Sequence, residues 1–149
     1  MDRITEAYLN DFQKEYSYPK NVEKPKLFEY FVNHCIVSRL HSERFEVEDV
    51  SVGGGGDMAF DGAAIKVNNN LVFSKDEVDD LKNRFHRLDV KFVFIQSKTS
   101  NKFDSAEIGN FIFGVESFFK HGLPKHINES VKALKDLTDY IYGSIHLPN

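Results

Sequence analysis

The chain has 149 residues and a mass of 17.2 kDa, with 41% hydrophobic and 28% charged residues. That is one domain's length, enough for a core without disulfide or metal staples, and the 14 Phe and 6 Tyr exclude a disordered chain. A net charge of -4 argues against a protein that coats nucleic acid through non-specific phosphate contacts, but not against an enzyme that acts on it.

No apolar run approaches the roughly 18 residues that span a bilayer, so no membrane partner is expected. The start, MDRITEAYLNDF, carries no apolar segment of the kind that directs secretion. A single cysteine, Cys35, rules out a disulfide framework and a multi-cysteine zinc site. The expected compartment is the cytoplasm.

Residues 2–16 predict a helix from Ile4, Tyr8 and Phe12, with Ala7 beside them. Residues 25–41 predict a second, with Leu27, Phe28, Phe31, Val32, Cys35 and Ile36 as one broad apolar stripe. Residues 42–52 read as short strand or loop. Four glycines, Gly53 to Gly56, then lead to Asp57, Asp61 and Gly62. AAIKV, the Asn68–Asn70 turn and LVF predict a hairpin, since Asn tolerates left-handed backbone. Ser74 is placed to cap a helix over 75–86.

DVKFVFIQSK, residues 89–98, predicts a strand covered on both faces, because FVFI is a continuous apolar run. A helix over 104–120 should bury Ile108, Phe111, Ile112, Val115, Phe118 and Phe119. Asn128 is the expected cap of a last helix over 129–142. The order of elements predicts one α/β domain over residues 1–149, a small mixed β-sheet flanked by helices in three layers. The tail SIHLPN follows directly on a helix, where an α/β sheet would gain a strand; the expectation is the amino-terminal part of a longer protein.

The polar run that follows FVFI is the best candidate for chemistry. In a strand Gln96 and Lys98 share a face and Ser97 takes the other. A polar pair at the end of a buried strand needs partners, and Asp61, at the mouth of a second strand, would supply the negative charge for Lys98. The competing reading is an ordinary strand end emerging into solvent. Asp57, in the glycine loop, ranks second as an acid, against the simpler role of a turn-forming Asp. Glu29 lies in line with Val32 and Ile36 and could reach the sheet, or remain a solvated acid in a first helical turn. No Gly-Lys-Ser/Thr follows the glycines, so they do not form a nucleotide loop. His34, His41, His121 and His126 lack metal-ligand spacing, and Cys35 reads as core. Lys102, Lys120, Lys125, Arg84 and Arg87 could meet phosphates or solvent equally well.

An Asp entering a strand, a hairpin, and an apolar strand ending in Gln-x-Lys resemble the PD-(D/E)xK nuclease superfamily, in its Mrr-like branch. GGGGDMAFDGAAIKVNNN and LDVKFVFIQSKTSNKFDSAEIGNFIFGVESFF together resemble the amino-terminal region of AIPR proteins, the abortive phage infection resistance family of bacteria. The resemblance runs from about Leu27 to Phe119. It implies a restriction-endonuclease-like three-layer core and a Mg²⁺- or Mn²⁺-dependent endonuclease acting on DNA, with RNA as the other candidate substrate, in antiviral defence. Carried over by position, Asp61 would be the principal metal ligand, Gln96 a neutral amide ligand in place of the usual Glu, and the Ser97 backbone carbonyl a further ligand. Lys98 would be the catalytic lysine, and Glu29 the acid of the first core helix. Mg²⁺ prefers such oxygen ligands and keeps several waters. Two other readings stay open: a nuclease-like module that binds nucleic acid or protein without cutting, and an assembly role in which aromatic residues form a homodimer patch.

Overall fold

The structure, a computed structural model, describes residues 1–145 except Asp57 and His121. The remainder of the tail singled out above, 146–149, lies outside the described residues. Five helices are arranged around a small sheet: α1 (Arg3–Glu15), α2 (Lys24–Leu40), α3 (Lys75–Arg84), α4 (Ser105–Lys120) and α5 (Glu129–Ile145). The strands are β1 (Gly62–Val67), β2 (Asn70–Leu71) and β3 (Val90–Ile95), in the order β2-β1-β3.

Every described ladder is antiparallel. The expected mixed sheet is therefore corrected. β1 turns back through Asn68 and Asn69, both left-handed at φ 47° and 68°, so the hairpin expectation holds, although β2 contributes only two residues. β3 returns along the other side of β1, with Gly62 opposite Ile95 and Val67 opposite Val90. The strand buried throughout is thus β1, whereas β3 is an edge strand with Phe92, Val93 and Phe94 half-exposed and Lys91 open to solvent. An apolar run marks a strand that packs; it does not say whether the strand sits at the centre or the edge.

Side chains alternate across β1 and build two cores. Ile65 and Val67 pack with Val78, Leu81, Leu137 and Ile141, and Ala63 packs with Phe60, Phe118, Ile127 and Val131, so α3, α4 and α5 cover this face. Ala64 and Ile95 pack with Val37, Val47 and Val50, which places α2 on the other. The expected three layers are present. Phe60 and Phe118 are fully buried, each worth about 1.5–3 kcal/mol by area.

Three helices begin as their sequences require. Ser74 and Glu77 form a reciprocal capping box on α3, Asn128 Oδ1 accepts from Val131 N–H at 2.9 Å, and Asp2 caps α1. α1 packs through Leu9 and Phe12, whereas Ile4 and Tyr8 of the expected face are exposed. Residues 47–50 form one 3-10 turn, and Ser51 makes a single bridge to Gly62.

Two further expectations are corrected. Cys35 is exposed and not core, and the packing that does surround the sulfur raises its pKa, which disfavours the nucleophilic thiolate. α4 buries only Gly114 and Phe118; Ile108 and Ile112 face outward. The reason is Gly114: a Cβ there would overlap the Met58 carbonyl, lying 3.0 Å from its carbon. The helix seats on the chain at that glycine, which fixes its rotation and turns the Ile108–Ile112 side away. Among the described residues, no helix is long and apolar enough to cross a membrane.

Candidate functional site

Antiparallel pairing brings the start of β1 and the end of β3 to the same end of the sheet. Asp61 precedes β1 and its N–H donates to the Ile95 carbonyl at 2.7 Å. Gln96, Ser97 and Lys98 follow Ile95 and are all half-buried, so the run is not an ordinary strand end entering solvent. The half-buried Asp61 carboxylate is held through Oδ2, which accepts from Ser97 N–H at 2.7 Å and from Ser97 Oγ at 2.9 Å. Two donors on one oxygen fix the carboxylate's direction.

The backbone of Asp61 is held as firmly. Its carbonyl accepts from Val52 N–H at 2.9 Å and from Asn33 Nδ2 at 3.1 Å. Asn33, fully buried on α2, gives its other amide proton to Ser51 Oγ at 3.1 Å, and Ser51 Oγ donates to the Val47 carbonyl at 2.7 Å. Asn33 Oδ1 is buried with no hydrogen-bond partner. It is turned against Gly62: a Cβ at Gly62 would lie 2.6 Å from Asn33 Cγ and 2.8 Å from Nδ2, and closer still to Oδ1. The glycine after Asp61 is therefore required by α2, which could not otherwise approach the strand so closely. Just upstream, Met58 and Ala59 both adopt left-handed backbone, at φ 57° and 64°, a conformation costing about 1–2 kcal/mol per non-glycine residue.

Lys98 does not pair with Asp61. Its Nζ donates to both carboxylate oxygens of Glu107 on α4 and lies 5.9 Å from the centre of the Phe103 ring. Glu107 is the residue that the sequence reading missed. It also closes a capping box with Asp104, accepting from Asp104 N–H at 2.9 Å while its own N–H donates to Asp104 Oδ1 at 2.8 Å. The Asp-x-x-Glu spacing at 104–107 was the available signal, and it announces a helix start without announcing the lysine. The hydrogen bond from Lys98 is the main cause holding the Glu107 carboxyl below its ordinary range.

Glu29 lies on α2 one turn before Asn33, on the same side of the helix. It is half-buried beyond the first helical turn and ion-paired with Lys26 at 3.0 Å, so the solvated first-turn reading does not hold. The pair lies beside Gly53, where a Cβ would come 3.4 Å from Lys26 Cε and 4.0 Å from Glu29 Oε2. Gly53 adjoins Val52, the partner of Asp61. The glycine loop itself is held by α5: Asn128 Nδ2 donates to the Gly53 and Gly54 carbonyls at 3.4 and 3.3 Å, and Asn128 N–H to the Gly56 carbonyl at 3.2 Å. These contacts use carbonyls of the loop. Asp57 falls outside the described residues.

The structure thus joins Asp61 directly to Ser97, whereas Lys98 and Glu29 are each engaged with another charge. Among the described residues, no group of three His, Cys, Asp or Glu side chains is disposed to hold a metal ion. The Asp61 carboxylate and the Gln96 carboxamide are hard oxygen donors, a type that suits Mg²⁺ or Mn²⁺ and not a soft metal, although by strand alternation Gln96 shares the face of Lys98 and not that of Ser97. No family model, curated protein or solved structure matches the chain.

Proposed function

We propose that this chain is a divalent-metal-dependent nuclease domain with a restriction-endonuclease-like core, hydrolysing DNA phosphodiester bonds in bacterial defence against phage. One observation carries the reading: Asp61 and the Gln96–Lys98 run meet at one end of an antiparallel strand pair, with the Asp61 carboxylate oriented by Ser97. The defence role rests on the AIPR resemblance alone. Asp61, the Gln96 amide oxygen and the Ser97 carbonyl would hold Mg²⁺, with Glu29 and Asp57 as further acids. Bound there, the ion supplies Lewis-acid polarisation of the phosphate and a water of lowered pKa.

The remaining work belongs to the chain. Ser97 holds Asp61 against rotation. Lys98, an ammonium ion-paired to Glu107, is suited to neutralising charge on a phosphate oxygen, for which the substrate anion competes with Glu107. Gln96 adds no negative charge, so a phosphodiester meets less repulsion at this sheet end than beside a pair of acids.

The test is cleavage of supercoiled and linear DNA, and of RNA, by the purified chain under Mg²⁺ and Mn²⁺ titration. Asp61→Ala and Lys98→Ala should each reduce the rate by at least about 100-fold with an unchanged circular dichroism spectrum. Full activity in either folded variant would remove that residue from the mechanism. A second reading, a nuclease-like module that binds nucleic acid or protein without cutting, is favoured by the engagement of Lys98 with Glu107. A folded wild-type chain inert on every substrate with either metal would support it over the first.

A further inference from the structure

The link between α3 and β3 gathers positive charge in a chain whose net charge is -4. Lys82, Arg84, His86 and Arg87 follow one another with no acid among them, and Asp89 is the first acid after them. Lys82, Phe85, His86 and Arg87 line one cavity of about 590 Å³, with Leu88 and Ile145 as its apolar wall. Among the described residues, no carboxylate lines that cavity. None of Lys82, Arg84 and Arg87 has an ion-pair partner among them either. Of the neighbouring acids, Asp89 pairs with Lys91 at 3.8 Å and Asp79 accepts from the Tyr140 hydroxyl at 2.6 Å. Asp80, one turn before Arg84, makes no ion pair with it.

The segment is fastened at both ends. Phe85 N–H donates to the Leu81 carbonyl at 2.9 Å. Asn68, in the left-handed turn, holds the other end: its Nδ2 donates to the Arg87 carbonyl at 3.1 Å, its N–H to the Asp89 carbonyl at 2.8 Å, and its Oδ1 accepts from Asp89 N–H at 2.6 Å. The carboxyl end of α3 accounts for Lys82 and Arg84, which favour its dipole. It does not account for His86 and Arg87, which lie past the helix, or for the Phe85 ring, 45% exposed beside them. Unpaired cations next to an open aromatic face suit a ligand that carries both phosphate and a flat ring. Arg84 stands outside the cavity, so the charge runs past the room of a single phosphate, which selects a strand over a free nucleotide.

We infer that this cavity binds single-stranded nucleic acid, with one base stacked on Phe85 and the adjoining phosphates held by Lys82, Arg84 and Arg87. His86 adds a ring hydrogen-bond donor. A duplex keeps its bases paired and stacked, out of reach of the ring, so the site favours a single strand. The cavity is separate from the Asp61 end of the sheet. Leu88 stands just before β3, where Val90 meets Val67, whereas Asp61 and Ser97 flank the opposite end, where Gly62 meets Ile95. The length of β3 sets the two about 20 Å apart. Binding here needs no metal and does not depend on the proposed nuclease activity.

Fluorescence anisotropy of a labelled oligothymidylate of roughly ten nucleotides, with the full chain in EDTA so that no cleavage occurs, should show saturable binding that salt weakens. The double variant Lys82→Ala with Arg87→Ala should bind at least about tenfold more weakly, and the slope of log K against log salt should be shallower by about 1.4, at about 0.7 per lost phosphate contact. Phe85→Ala should cost at least about fivefold and abolish the preference for the oligothymidylate over an abasic strand of equal length. Phe85→Leu, which keeps apolar bulk at the helix end, should lose the same preference and covers the case in which alanine disturbs folding. Absence of binding at low salt, or binding indifferent to the double variant, overturns the inference. Equal wild-type affinity for the abasic strand or for a duplex overturns the stacking on Phe85. Binding to phosphatidylserine vesicles in place of the oligonucleotide assigns the cations to a membrane surface and overturns the inference as well. A chain that binds the strand in this way yet cuts nothing with Mg²⁺ or Mn²⁺ would sustain this site while removing the nuclease reading.

Discussion

Gly62→Ala isolates the contact on which the Asp61 backbone depends. The substituted Cβ would stand 2.6 Å from Asn33 Cγ and 2.8 Å from Nδ2, well inside van der Waals contact. Gly62 lies in β1, so alanine is strained by its neighbour and not by the backbone. Asn33 is fully buried and has no open direction in which to swing. Relief requires withdrawing its amide from Ser51 Oγ and the Asp61 carbonyl, each at 3.1 Å. Two net hydrogen bonds at about 1 kcal/mol each, with overpacking of about 1–2 kcal/mol, give an expected loss of about 3 kcal/mol. For a domain of this size that lowers Tm by roughly 6–12 °C. The assay is urea unfolding of wild type, Gly62→Ala, Asn33→Ala and the double variant. Because Asn33→Ala empties the space that the new methyl needs, the double variant should be less destabilised than the sum of the two, by about 1–2 kcal/mol. A Gly62→Ala cost within about 0.5 kcal/mol of zero, or strict additivity, would refute the reasoning.

Three other outcomes follow from described geometry. Ala59→Gly should stabilise the chain by about 1 kcal/mol, since Ala59 holds φ 64°; urea midpoints at constant slope check it. His34 packs against Tyr16 and Phe45, and its Nε2 lies 3.0 Å from the Tyr16 hydroxyl. Desolvation there lowers its pKa below 6.5, so the unfolded chain takes up the proton first. Stability should be intact above 6.5 and decline as pH falls through 6.5 toward the lower folded value. His34→Phe should flatten the unfolding midpoint over that window, and an unchanged profile would remove His34 as its source. Under the nuclease reading, Glu107→Gln should cost far less cleavage than Lys98→Ala, because Gln retains a hydrogen bond to Nζ and releases the ammonium's charge; equal losses would make the ion pair itself indispensable.

Much of the architecture was legible because local rules and tertiary packing agree. Ser74 with Glu77, Asn128 before α5, and the Asn68–Asn69 turn each state their structure within a few residues. The juxtaposition of Asp61 with the Ser97 region was also legible, since two strands joined through a hairpin and a helix can meet antiparallel. What failed depends on rotation and partner choice. Periodicity placed Ile108, Ile112 and Phe118 on one side of α4, but which side meets the sheet is decided by Gly114 against Met58. The partner of Lys98 was misjudged for a similar reason: strand alternation sends Lys98 toward α4, where Glu107 waits, while Ser97 closes on Asp61. The role of Gly62 could not be read at all, because it belongs to a contact with a residue 29 positions away in the chain.

The clasp between Lys98 and Glu107 has a mechanical corollary. It fastens the two ends of the segment Thr99–Asp104, which carries exposed Lys102 and Phe103, so this short flap is tethered at both feet. An anion that draws Lys98 away unfastens one foot while Glu107 goes on holding the start of α4. Under the nuclease reading, nicking by trypsin after Lys102 becomes a gauge of that release, faster when an oligonucleotide loosens the tether and slower when the flap lies fastened down.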